Sequence, residues 1–143
     1  MNLLKNFCFE LPTKIIYGLD TSLQLTDHLL DAEYRNVLLV TDRGVRESEL
    51  LAPVIAHLEE APLLWTLFDE VEPNPKDYNV QAGAAKAREY EVDCIVAVGG
   101  GSPIDCAKAI SVVIGPARNG RDSADRNKMT EKVLPLVAIP TTA

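Results

Sequence analysis

The plainest chemical signal in the chain is the stretch Gly99-Gly100-Gly101-Ser102-Pro103-Ile104-Asp105, which follows the apolar run Cys94-Ile95-Val96-Ala97-Val98. Consecutive glycines permit a tight turn with positive φ and leave no side chain between the backbone and an approaching ligand. The residues after them predict a helix start, with Ser102 as N-cap, Pro103 in the first helical position and Asp105 completing an S-x-x-D box. The free N–H groups and positive dipole end of such a helix favour an anion, so the chemistry implied is phosphate binding. The pattern matches neither G-x-G-x-x-G nor G-x-x-x-x-G-K-[ST]. A glycine turn that only joins strand to helix is the alternative reading.

Asp42 is the second candidate, because it stands directly after the apolar run Val37-Leu38-Leu39-Val40. An acid at the end of an early parallel strand can accept hydrogen bonds from a ribose diol and repels a 2′-phosphate. The sequence Asp42-Arg43-Gly44 fits a turn residue or helix cap equally well. His28 and His57 fall alone on predicted helices, without partners at metal-ligand spacing, and read as packing or surface residues. No Ser-His-Asp set and no paired-carboxylate site can be argued. Cys8, Cys94 and Cys106 match neither a zinc knuckle nor a CxxC pair and read as reduced thiols.

The elements that must position these residues alternate. Strand is predicted in Phe7–Tyr17, over Val37–Val40, Leu63–Phe68, Cys94–Val98 and Leu134–Ile139. Helix is predicted after the caps Asp20, Thr21 and Ser22, with Leu23, Leu25, Leu29 and Leu30 as its stripe, and over Glu49–Leu58, Val80–Tyr90 and Ser102–Ile114. Val71-Glu72-Pro73-Asn74-Pro75 must be a loop, since its prolines forbid helix. The polar stretch Gly115–Lys132 reads as a surface loop. Continuous apolar strands alternating with helices imply an α/β fold, a parallel sheet with helices on both faces.

A chain of 143 residues, 47% of them hydrophobic, has room for one domain with a sizeable core. Its net charge of −7 lacks the basic footprint of a nucleic-acid binder. No apolar run approaches the ~20 residues of a membrane helix, so no membrane partner is expected. Met1–Asn6 lacks the apolar core of a signal peptide, and with the cysteine pattern this predicts a cytoplasmic protein.

Taken in order, Asp42, Glu72-Pro73-Asn74-Pro75, the glycine loop with Ala107-Lys108-Ala109-Ile110, and Ile139-Pro140-Thr141-Thr142-Ala143 resemble the N-terminal domain of the iron-containing (group III) alcohol dehydrogenases. The opening Phe9-x-x-Pro12-x-x-Ile15-x-x-Gly18 is similar to that family's first strands. The resemblance covers essentially the whole chain and implies a Rossmann-like dinucleotide-binding domain over residues 1–143. It implies that Gly99, Gly100, Gly101 and Ser102 hold the pyrophosphate of NAD(P) and that Asp105 sits near the nicotinamide-side ribose. Asn74 would lie near the cofactor in the cleft, and Thr141 and Thr142 in the adenine- and phosphate-side loop. Asp42 would favour NAD over NADP. The family's second, α-helical domain, with the aspartate and histidines that bind Fe²⁺ or Zn²⁺, is not matched by these residues. The expectation is therefore the cofactor half of an enzyme that interconverts a small alcohol and its aldehyde or ketone. It would be inactive alone, and a homodimer is possible in the full-length protein. A standalone nucleotide-binding module, or part of a glycerol dehydrogenase or dehydroquinate synthase, is the competing reading.

Overall fold

The structure is a computed structural model that describes residues 24–118 and 133–141. The strands expected in Phe7–Tyr17, most of the polar stretch before Val133, and Thr142 lie outside the described residues. The elements run α1 (Leu25–Asp31), β1 (Asn36–Val40), α2 (Arg43–Glu47), α3 (Ala52–Glu60), β2 (Leu64–Phe68), α4 (Asp77–Glu89), β3 (Cys94–Gly99), α5 (Gly101–Arg118) and β4 (Leu136–Pro140). The four strands form one parallel sheet in the order β2-β1-β3-β4.

Strand periodicity sorts the core into two layers. Leu38, Val40, Ile95 and Ala97 face α4 and α5, where Phe68, Ala84, Ala87, Ala107, Ile110 and Ile114 close the packing. Val37, Leu39, Cys94, Val96 and Val98 face the other way, against Leu25 and Leu29 of α1 and Val54 and Leu58 of α3. Successive strand residues point to opposite faces, so a continuous apolar run serves both layers at once. The alternation thus produces the expected Rossmann-like α/β arrangement, with helices on both faces. α4 crosses closely over α5 because Gly83 has no side chain where Ile110 and Phe68 come in.

Three local expectations are corrected. The helix predicted over Glu49–Leu58 is α3, Ala52–Glu60, and a separate short helix that was not expected, α2, precedes it over Arg43–Glu47. α2 buries no residue, so it has no apolar stripe to announce it; only its cap, Asp42, is visible in the sequence. α5 begins at Gly101, because the Gly100 carbonyl already accepts from the Ile104 N–H at 3.4 Å. Ser102 and Pro103 therefore lie inside the first turn rather than at the cap, and the Ser102–Asp105 box does not form. Pro103 costs nothing there, since first-turn N–H groups lack intrahelical acceptors. At its other end α5 runs through Gly115 and Pro116 to Arg118, where a loop was expected. Buried Ile110 and Ile114 carry its packing up to that point.

At the amino edge of the sheet one carboxylate ties two strands. Asp93 accepts from the Arg35 and Asn36 N–H groups at 2.9 and 3.1 Å, and its own N–H donates to the Asn36 carbonyl. This leaves the carboxyl edge for the loops that carry the candidate residues.

Candidate nucleotide-binding site

From β1 the chain moves to β2 on one side, then crosses back over β1 to β3 and β4 on the other. The connections that leave β1 and β3 therefore diverge, and the crevice between them is where open parallel sheets bind ligands. Asp42 follows β1 and the glycine loop follows β3, so both principal candidates arrive at this crevice.

Thr41 holds the crevice in register. It is fully buried; its N–H donates to the Phe68 carbonyl at 2.9 Å and its hydroxyl to the Val98 carbonyl at 2.7 Å. The end of β1 is thereby fixed to both neighbouring strands. On the far side the Thr141 N–H donates to the Gly99 carbonyl at 3.0 Å, tying the end of β4 to the glycine loop.

The three glycines differ. Gly99 has φ +144°, and a Cβ there would stand 2.7 Å from Pro103 Cγ, so glycine is required by the protein itself. It is the one glycine with positive φ among the described residues, so the expectation that the whole run supplies such a turn narrows to this position. A Cβ at Gly101 would meet nothing within 4 Å. Space is left open in front of the first turn of α5, whose N–H groups have no intrahelical partner.

A cleft of about 320 Å³ opens beside this turn, lined by Asp42, Arg43, Gly44, Val71, Pro73 and Ser102. A second cavity of about 340 Å³ adjoins it and shares Arg43 and Val71. Among the described residues Arg43 is the one cation lining these cavities. Asp42 is N-cap of α2, accepting from the Val45 N–H at 2.8 Å through Oδ1. The cap reading of Asp42 therefore holds, and its place in the cleft lets the same carboxylate meet a ligand.

Of the candidates, the cleft brings together Asp42 and Ser102; Gly99, Gly100 and Gly101 precede Ser102 in the chain, and Thr141 is tied to Gly99 by its N–H. Asn74 is exposed at the tip of the β2–α4 connection with φ 54°, and its neighbour Pro73, not Asn74, lines the cleft. Asp105 is exposed on α5 and lines neither cavity. Thr41, Arg43 and Asn79 were not singled out from sequence. The available signal for the first two was adjacency to Asp42.

Glu72 in the second cavity is held below the ordinary carboxyl value by the Tyr78 hydroxyl, then by the Asn79 amide, and Tyr78 is raised in turn by Glu72. Burial pushes the Cys94 thiol up to about 12, with help from Asp93, and Cys106 up to about 11. Both thiols are unreactive at neutral pH. Among the described residues no three His, Cys, Asp or Glu side chains come together as a metal site, and no helix is long and apolar enough to cross a membrane.

Comparison with known proteins converges on one family. The family model "Iron-containing alcohol dehydrogenase" matches residues 12–143. The 1,3-propanediol dehydrogenase of Klebsiella pneumoniae is 40% identical over 111 residues, covering 76% of this chain and 29% of that protein. The choline dehydrogenase of Bacillus subtilis is 38% identical over 138 residues, covering 94% of this chain and 34% of that protein. Among solved structures, the NADH-dependent butanol dehydrogenase A of Thermotoga maritima superposes with a TM-score of 0.78 at 29% identity, over 96% of this chain and 35% of that one. The chain spans about a third of the length of the curated relatives it matches. On the match from residue 12 to residue 143, the chain belongs to the iron-containing alcohol dehydrogenase family.

Proposed function

We propose that this chain is the dinucleotide-binding part of an alcohol dehydrogenase that passes hydride between NAD and a small alcohol–aldehyde or alcohol–ketone pair. The observation that carries the reading is the unfilled space over Gly101, at the start of an 18-residue helix and beside the switch-point cleft. A pyrophosphate laid there is met by the N–H groups of Gly101 and Ser102 and the positive end of the helix. Gly99 and Gly100 bring the backbone close, and Thr141 closes the adjoining side. Asp42 engages Val45 through Oδ1 and accepts a ribose hydroxyl through the rest of its carboxylate, which favours NAD over NADP. Asn74 and Asp105 are exposed and line neither cavity, so on this reading they would approach only the more exposed parts of a dinucleotide.

When bound, nicotinamide supplies the hydride chemistry. The described residues offer no set of side chains that fits a metal. On this reading the Fe²⁺ or Zn²⁺ of the family and the substrate contacts would be supplied from outside this stretch of sequence, and the chain alone would bind cofactor without turning over alcohol.

Fluorescence titration with NADH tests the reading. The wild-type chain should bind NADH more tightly than NADPH. Gly101→Val should weaken NADH binding by at least about tenfold, the cost of blocking a close backbone contact, with no loss in urea midpoint. Failure of the wild type to bind NADH, or equal affinity in Gly101→Val, overturns it.

A further inference from the structure

We infer that Asn79 is the positioning residue of the cleft, setting through its carboxamide the path of the β2–α4 connection and hence the wall that Val71 and Pro73 present to a bound dinucleotide. The inference rests on the dinucleotide reading above and deepens it. Asn79 is only 4% exposed, in the first turn of α4. Its Oδ1 accepts from the Lys76 N–H at 2.9 Å, while its Nδ2 donates to the Glu70 carbonyl at 3.0 Å and to Glu72 Oε2 at 2.9 Å. One side chain thus grips the connection at its beginning, middle and end.

The connection needs that grip. Pro73 and Pro75 remove two N–H donors, and Asn74 between them sits in the left-handed region at φ 54° without being glycine. Such a segment has little backbone hydrogen bonding with which to hold a single shape. Yet Val71 is packed in the core and Pro73 lines the cleft opposite Asp42 and Ser102. Asn79 lines the adjoining cavity and not this cleft, so it acts through Pro73.

Exchange of the amide and the carboxylate tests the idea. Asn79→Asp keeps the acceptor for the Lys76 N–H, and so the helix start. It removes both donated bonds and sets a second carboxylate against Glu72. NADH affinity should fall by about tenfold, the scale of one or two buried hydrogen bonds. Adding Glu72→Gln returns a donor to the pair and should recover affinity to within about threefold of wild type. A residue that served only to start α4 would show no such rescue. Asn79→Asp binding NADH as wild type does, or a double variant no better than the single one, overturns the inference. Should Asn79→Asp fail to fold, Glu72→Ala decides, with a loss of about threefold expected and unchanged affinity overturning it. Absence of NADH binding by the wild type would instead sink the dinucleotide reading itself.

Discussion

After β3 the chain turns through three glycines and offers bare backbone; after β2 it turns through two prolines and is held by a buried carboxamide. Both connections reach the same edge of the sheet and border the same cleft. The first is shaped by what is absent. Gly99 lets the chain pass Pro103, and Gly101 leaves room in front of a helix terminus. The second is shaped by what is present, since Asn79 replaces hydrogen bonds that Pro73 and Pro75 cannot make. A site for a long, flexible anion needs both kinds of wall: one that can be approached to backbone distance, and one that stays put with side chains on it.

The sharpest way to break this comparison lies within the glycine run. Gly99→Ala should destabilise the chain by about 2–3 kcal/mol, the sum of strain at positive φ and the clash with Pro103. Gly101→Ala should be neutral or stabilising by up to about 1 kcal/mol, since alanine suits a helical position better than glycine. Urea midpoints of the two variants check this. Equal losses at both positions would mean the open space over Gly101 is not spare.

The same contrast explains what could be read before the fold was known. The glycine loop announces itself because its signals are local: an apolar run, glycines, then helix-start residues within a single turn. Even so, the cap lies two residues before the expected Ser102, because the Gly100 carbonyl closes the first turn with Ile104. α2 was missed because its five residues bury nothing. Thr41 was illegible because its hydroxyl finds Val98, 57 residues away. Asn79 falls just before the helix predicted over Val80–Tyr90 and carries no local signal, since its burial follows from tertiary packing over the connection. Residues that would touch a ligand could be found from type and spacing, whereas those that hold the walls needed the fold.

The β1–α2 connection combines both means, and it separates structure from specificity at a single position. Asp42→Ala should cost about 1 kcal/mol by removing the cap on Val45. Asp42→Asn keeps a capping oxygen and should leave the urea midpoint within about 0.5 kcal/mol of wild type. It removes the negative charge, so NADPH should gain on NADH by about tenfold, the size of one charge contact at a partly exposed site. If Asp42→Asn leaves the NADH-to-NADPH ratio unchanged, Asp42 is a cap and nothing more.

The smallest effect probes the proline connection through pH. Glu72 titrates below its ordinary value of 4.5 in the folded chain because the Tyr78 hydroxyl and then the Asn79 amide bind its charged form. A depressed folded-state value means that the unfolded chain takes up the proton first. The stabilisation is therefore complete above pH 4.5 and is lost as pH falls from there through the folded-state value. Tyr78 has the opposite sign. Its folded-state value is raised above 10.0 by Glu72, so its contribution persists below pH 10.0 and fades as pH rises through the folded-state value. Glu72→Gln should flatten the acid limb of the urea-midpoint profile slightly relative to wild type and leave the plateau near neutrality almost unmoved. Solvent still reaches the half-buried Glu72, which keeps the change small. Parallel acid limbs in the two proteins would show that Asn79 holds this connection through the Glu70 carbonyl and the Lys76 N–H alone, with the carboxylate a bystander.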